Sequence, residues 1–190
     1  QSAYTPTPSN TNTPAVTFTP RPTNTPRPTA TPKYGSLENP FPFGNEISLV
    51  QNTNKNKSNY SLQVIEVIRG DEANYILRLA NMFNDDPPEG TSWMLIKLRI
   101  TLDSGDAFTI RDSDFVVLSG GQIFDTIFGV CCTDTVGYPG LDATLALPGS
   151  STEGWVIQSV FIADNNPLLA LNINSYDPNL NDGLFFALSQ

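Results

Sequence analysis

The sequence predicts an all-β protein: an antiparallel β-sandwich with one short inserted helix, preceded by an extended tail rich in Thr and Pro. Three observations support this. The N-terminal part is a repeat with little apolar area. Segment 93–102 alternates apolar and polar residues, as a half-buried strand does. Short runs of branched and aromatic residues recur between turn residues, which is typical of a sandwich. We therefore expect the tail at 1–36 and the sandwich at 37–190.

The tail is a six-residue repeat from Thr5 to Tyr34, with Thr in the first and third places and Pro in the fourth. It has too little apolar area to offset the entropy of ordering the chain, so we expect no packed fold. One interpretation is a polyproline II spacer carrying O-linked sugars. The candidate glycosylation sites are Thr5, Thr7, Thr11, Thr13, Thr17, Thr19, Thr23, Thr25, Thr29 and Thr31.

A second interpretation follows from the parity of the repeat. All ten of these threonines are odd-numbered, and the prolines of the segment are all even-numbered. In an extended chain neighbouring residues direct their N–H groups to opposite edges, so only the odd-numbered edge keeps every donor. Such a strand can add to another protein's sheet along one edge only. We expect an assembly tail with Val16 and Phe18 as apolar anchors.

Charge is divided unevenly along the chain. Residues 1–37 carry Arg21, Arg27 and Lys33 and no acid, a net charge of +3, while the remainder holds seven basic and nineteen acidic residues, a net charge of −12; together these give the overall −9. The acidic body would repel nucleic acid. The basic tail of one copy would be attracted to the body of another, and salt would weaken that attraction. The predicted partners are other copies of the protein and covalently attached glycans, with no nucleic acid.

The start of the numbering suggests an exported chain. It begins at Gln1 without an apolar leader, as expected of a mature secreted protein. No run of 18 apolar residues is present, so we expect no membrane insertion. The predicted location is extracellular or at the cell surface.

The composition argues against the common kinds of catalytic site. Histidine is absent, which removes the usual general base and the commonest zinc ligand. Acidic residues cluster in two segments, 103–114 and 85–86, and their oxygens are of the type that binds calcium. The spacing is not that of an EF-hand, and acidic residues are common in turns. We expect no enzyme activity, no metal and no cofactor.

The elements of the body follow from their patterns. After an aromatic entry segment at 37–44, Asp71 is predicted to cap a helix whose apolar stripe is Ala73, Ile76, Leu77 and Ala80. In 93–102 all the even-numbered residues are apolar, which predicts a strand with one buried face and one wetter face. The predicted strands are 46–51, 61–68, 93–102, 115–118, 122–128, 143–147, 154–163, 168–174 and 184–188.

Seven short motifs lie at 39–44, 67–73, 80–84, 87–90, 94–100, 147–149 and 153–156. In this order they resemble a family of immunoglobulin-like domains of unknown function, found in bacterial secreted proteins and lipoproteins and similar in fold to a secreted mycobacterial antigen. The resemblance covers 37–188 and implies a sandwich with a helix inserted after the second strand. It implies no catalytic residues. The chain departs from the lipoprotein members in lacking a lipidated Cys, and it adds the repeat tail and the pair Cys131–Cys132.

Cys131 and Cys132 leave three alternatives open. Neighbouring Cα atoms lie about 3.8 Å apart, below the usual disulfide span of about 4.4 to 6.8 Å, so a bond between them forms a strained ring. In an extended segment the two sulfurs would point to opposite faces and bond to two different copies. The third alternative is two small buried side chains without a bond. Export favours the ring, with the link between copies second.

These observations predict a non-enzymatic extracellular subunit that assembles into a filament or surface layer through its N-terminal tail. The alternative is a binding or adhesion module displayed on a glycosylated stalk.

Overall fold

The computed structural model describes residues 1–3, 32–52, 57–125, 130–173 and 179–189. By its contacts the chain divides into two units, Gln1–Thr31 and Pro32–Gln190. The ten candidate threonines, together with Val16, Phe18, Arg21 and Arg27, lie outside the described residues. Lys33 belongs to the second unit and is exposed. The domain boundary after residue 36 stays a prediction.

The second unit contains ten strands and one α-helix among its described residues. The inserted helix, α1, follows the second strand, as predicted. The elements are β1 (Glu46–Asn52), β2 (Lys57–Arg69), α1 (Asp71–Ala80), β3 (Thr91–Gly105), β4 (Phe108–Arg111), β5 (Phe115–Ser119), β6 (Gln122–Phe124), β7 (Asp142–Leu145), β8 (Ser151–Phe161), β9 (Leu168–Leu171) and β10 (Leu184–Ala187).

The strands form an antiparallel β-sandwich, which confirms the predicted fold class. One sheet has the order β1-β2-β3-β8 and the other β10-β9-β5-β6, and β4 pairs with β7 beside them. Each of these pairings is antiparallel. The main core unites apolar side chains of both sheets, including Leu62, Leu98, Phe115, Leu169 and Phe186.

Strand β3 carries the predicted alternation, with one correction. Its even-numbered residues from 94 to 102 are all buried, as expected. The other face is wetter only from Lys97 onwards, because Trp93 and Leu95 are also buried, in a second cluster beneath α1. The helix covers the outer face of the first half of β3, so this half is buried on both sides.

The start of α1 differs from the prediction. Asp71 is the first helical residue and not its cap; the capping position is Gly70, which has a positive φ of 70° and offers no side chain. Gly70 adopts this conformation without a steric penalty, and its N–H donates to the carbonyl of Trp93. Ala73 and Ile76 are buried as predicted, with Leu77, whereas Ala80 is only half-buried.

Strand boundaries shift where local geometry overrides the pattern. Strand β9 ends at Leu171 and not at residue 174, because Asn172 has a left-handed φ of 65°. Strand β6 ends at Phe124, and residues 126–128 of its predicted range lie outside the described residues. Strand β4 was not predicted; its four residues gain their strand conformation by pairing with β7.

Candidate functional site

Two hydrogen bonds at the first residue of β2 show which of the two neighbouring strands its backbone N–H and carbonyl groups face. Lys57 donates its N–H to Asp106 Oδ2 at 3.0 Å, and its carbonyl accepts from the Asp106 N–H at 3.1 Å. Both groups therefore point to the β3 side. Because backbone groups alternate along a strand, those of Ser58, Tyr60 and Leu62 point to β1.

The same alternation identifies the free edge of β1. Ser58, Tyr60 and Leu62 lie opposite Gln51, Leu49 and Ile47, so these three β1 residues bond to β2. The alternate residues of β1 direct their N–H and carbonyl groups away from the sheet. They are Glu46, Ser48 and Val50.

This edge of β1 is seven residues long. Within the described residues, no backbone group outside β2 bonds to Glu46, Ser48 or Val50. The strand contains no Pro and no Lys, the residues that usually block pairing at a sheet edge. The Val50 side chain is 62% exposed on the outer face, while Leu49 is buried. Strand β1 therefore has the properties of a site for strand addition.

The edge of β10, on the same side of the sandwich, is already covered. Phe185 donates to the carbonyl of Gly35 at 3.0 Å, and its own carbonyl accepts from Phe41 at 2.8 Å. Ala187 donates to the carbonyl of Phe41 at 2.8 Å. Phe41 is buried, and the Tyr34 ring meets it edge-on with centroids 4.9 Å apart. The entry segment thus occupies this edge, and its contacts begin before residue 37.

The outer edge of β8 is covered at its centre. Trp155 donates to the carbonyl of Pro139 at 2.9 Å and accepts from the N–H of Leu141 at 3.0 Å. This approach depends on Gly154, because a Cβ at that position would lie 2.6 Å from the Cα of Leu141. Residues 139–141 therefore seal β8 only because residue 154 has no side chain.

A cleft of about 370 Å³ lies between the sheets at the Gln51 end of β1. Its walls include Tyr60, Phe108, Ile110 and Leu171, with Gln51 at the β1 side. The Tyr60 and Phe108 rings pack with centroids 4.9 Å apart. The cleft is large enough for an apolar side chain entering from the β1 edge.

Tyr60 links this cleft to the stability of the fold. Burial, together with the nearby charge of Asp114, raises the pKa of Tyr60 to about 12. The raised pKa means that the folded protein favours the protonated phenol. The contribution of the neutral Tyr60 phenol to the free energy of unfolding is fully present below pH ~10 and is lost as the pH rises through 12.

We expect the free energy of unfolding to fall by about 2 kcal/mol between pH 9 and 11.5 through Tyr60 alone. Urea denaturation of the wild type and of Tyr60→Phe at both pH values measures the difference. The Phe variant should lose correspondingly less, while Tyr75→Phe, at an exposed position, should behave as wild type. If all three proteins lose the same free energy of unfolding, the loss does not come from Tyr60.

The two cysteines are joined to each other in a loop that packs at the end of α1. Neither sulfur is then available for a bond to another copy. Cys132 adopts a left-handed φ of 69°, and both residues are exposed. Asn84 fixes the loop: its Oδ1 accepts from Cys131 N–H at 2.9 Å, and its Nδ2 donates to the carbonyls of Leu77 and Cys131 at 2.7 and 3.2 Å.

An exposed apolar surface adjoins this loop. Tyr75 and Leu79 are four residues apart on α1 and therefore share a face. Met82 and Phe83 follow in the turn after the helix, which ends at Ala80. Each is more than half exposed, Phe83 by 81%. We call these four residues the α1 apolar face.

The acidic residues that resembled calcium ligands serve as turn residues. Asp114 accepts the N–H of Arg111 at 2.8 Å, Asp112 accepts that of Ser113 at 2.7 Å, and Asp86 pairs with Arg78 on the surface. In the described part of the chain, no three potential ligands among His, Cys, Asp and Glu come together. That the protein is not an enzyme and needs no cofactor stays an expectation.

Among the described residues, no helix has the length and apolar character needed to cross a membrane.

Comparison with known proteins gives distant structural neighbours. No protein-family model matches the chain, and no curated protein matches its sequence. The secreted protein MPT63 of Mycobacterium tuberculosis is 12% identical, with a TM-score of 0.49 over 80% of this chain and 98% of its own. The yjhA protein of Bacillus subtilis is 14% identical, with a TM-score of 0.49 over 78% of this chain and 99% of its own.

A third neighbour is ycdA of Bacillus subtilis subsp. subtilis str. 168, described as a lipoprotein. It is 13% identical, with a TM-score of 0.46 over 73% of this chain. The match spans 39% of the length of ycdA. Of these neighbours, MPT63 is described as a secreted protein and ycdA as a lipoprotein. Membership of the immunoglobulin-like family remains a resemblance.

Proposed function

We propose that the protein is a non-enzymatic extracellular structural subunit that assembles into a filament or surface layer, each tail docking on a neighbouring copy. One observation supports the proposal: the β1 edge and the tail sequence have complementary features for strand addition. The body leaves the edge of β1 unpaired among the described residues, while β10 and the centre of β8 are covered. The tail keeps every backbone donor on one edge only, because its prolines all interrupt the other edge.

Two further features support an extracellular role. The bond between Cys131 and Cys132 is suited to an oxidising compartment. A Thr/Pro repeat is a common acceptor of O-linked sugars, which stiffen and shield a tail outside the cell. The absence of His, together with carboxylates engaged in turns, favours a structural role over catalysis.

Deleting residues 1–31 tests the role of the tail. All ten strands lie within 46–187, so we expect a folded monomer with the thermal stability of the intact body. Negative-stain microscopy of the full chain should show filaments or sheets, and the shortened chain should show neither. If the shortened chain still assembles, the tail is not the docking element. If it does not fold, the tail belongs to its own sheet.

Intact mass spectrometry of the native protein tests glycosylation. We expect a mass well above the 20.7 kDa of the bare chain, with the excess confined to a tail peptide after proteolysis. Threonines six residues apart fall on the same side of a polyproline helix, so sugars there leave the other side free. A mass equal to that of the bare chain would exclude the modification.

The alternative function is a surface-displayed binding or adhesion module on a glycosylated stalk. The α1 apolar face favours it, because large exposed apolar surfaces often mark interaction sites. Microscopy separates the two functions, since a stalked module gives discrete particles.

A further inference from the structure

We infer that the tail docks on the β1 edge of a neighbouring copy, where residues 15–21 add as an antiparallel strand with Val16 and Phe18 facing the core. This inference rests on the proposed function and adds to it the docking site, the orientation and the register. It is carried by three matches between the tail and the edge.

The first match is between the hydrogen-bonding groups. Among the described residues, strand β1 leaves N–H and carbonyl groups unpaired at every second residue, at Glu46, Ser48 and Val50. The tail keeps donors at every second residue, and its prolines all lie on the opposite edge. A continuous ladder can therefore form, and the next tail edge is interrupted by proline, which stops lateral growth of the sheet.

The second match is between the faces, and it selects the orientation. In an antiparallel pair, residues that exchange hydrogen bonds lie opposite each other on the same face. Odd-numbered threonines then lie beside Ser48 and Val50 on the solvent side, and Val16 and Phe18 lie beside Leu49 on the core side. In a parallel pair the faces would be exchanged, with Phe18 in water and the threonines against the core. Burial of apolar area therefore favours the antiparallel arrangement.

The threonine hydroxyls face solvent in this arrangement. Sugars on them would project away from the sheet, so glycosylation and docking are compatible on the same segment.

The third match is electrostatic, and it selects the register. Opposite charges directly across a strand pair are stabilising. Placing Arg21 opposite Glu46 puts Phe18 opposite Leu49 and Val16 opposite Gln51. Gln51 lines the cleft of about 370 Å³, so Val16 and Phe18 would enter the core beside Tyr60.

The other edges fit less well. Gly35 and Phe41 occupy β10, and residues 139–141 occupy the centre of β8. Strand β6 has only three residues. A tail could also fold back onto its own β1, because the residues between Thr19 and Pro32 can span about 40 Å when extended. The experiments below distinguish this arrangement from docking on a second copy.

The main test uses the full-length chain with Ser48→Pro and, as its matched control, Ser48→Ala. The proline removes one free donor from the edge, whereas the alanine keeps it. We expect Ser48→Pro to raise the concentration needed for assembly at least about tenfold and Ser48→Ala to leave it unchanged. On the tail, Thr17→Pro removes a donor from the pairing edge and should block assembly. Asn24→Pro lies beyond the docked residues 15–21, on the edge that already carries the prolines, and should be tolerated.

A charge exchange tests the register without relying on proline. At low salt, Glu46→Lys and Arg21→Glu should each weaken assembly, and the two combined should restore it. No rescue by the double variant would overturn the register. This test stands even if Ser48→Pro does not fold.

The outcomes separate the docking site from the function. If Ser48→Pro and Ser48→Ala assemble equally well while deletion of the tail abolishes assembly, the β1 edge is not the docking site and the proposed function stands. If the chain without the tail still assembles, the proposed function fails. If the amides of Ser48 and Val50 resist hydrogen exchange in dilute monomers, the edge holds the molecule's own tail, and docking on a second copy is overturned.

Discussion

Replacing Val16 and Phe18 together by Ser is expected to abolish assembly at every salt concentration. Burying these two side chains contributes roughly 3 to 5 kcal/mol, a change of more than about a hundredfold in the association constant. The loss is independent of salt because the contact is apolar. Sedimentation and negative-stain microscopy of the double variant, from low salt to about 0.5 M, measure the result.

The matched control is Arg21→Gln with Arg27→Gln. Each exposed charge pair contributes at most about 1 kcal/mol and is screened by salt. The control should therefore weaken assembly at low salt and leave it nearly unchanged at high salt. If the arginine variant abolishes assembly and the serine variant does not, charge and not apolar burial holds the tail.

Gly154→Ala is expected to lower the free energy of unfolding by about 2 to 3 kcal/mol. The new Cβ would lie 2.6 Å from the Cα and 2.9 Å from the N of Leu141. Leu141 cannot move away without losing its bond to the carbonyl of Trp155, and this segment is what seals the edge of β8. Urea denaturation of the full chain gives the change in stability.

Gly140→Ala is the control, because a Cβ there meets no atom within 4 Å. It should leave stability within about 0.5 kcal/mol of wild type. Opening of the β8 edge should also make Gly154→Ala aggregate through a second pairing surface. If both variants are equally stable, residues 139–141 do not depend on the absence of a side chain at Gly154.

Much of the sandwich could be predicted because its signals are local. The buried even-numbered residues of β3 and the stripe Ala73, Ile76 and Leu77 of α1 appear directly in the sequence. Strand β4 could not be predicted, because its strand conformation comes from pairing with β7 more than thirty residues later. The cap of α1 was missed because Gly70 adopts a positive φ, which no side-chain pattern reports.

Features of a single segment needed nothing beyond the sequence. One such feature is that the prolines of the tail all fall on one edge, so that the other edge keeps every N–H donor. It follows from the alternation of backbone groups and the missing N–H of proline, which are properties of the chain itself. The unequal charge of tail and body is another. Only the tertiary structure decided which edge is unpaired within the described part of the chain, since Phe41 reaches β10 and Leu141 reaches β8 through contacts between distant residues. Edge coverage depends on long-range backbone bonding, and no local pattern encodes it.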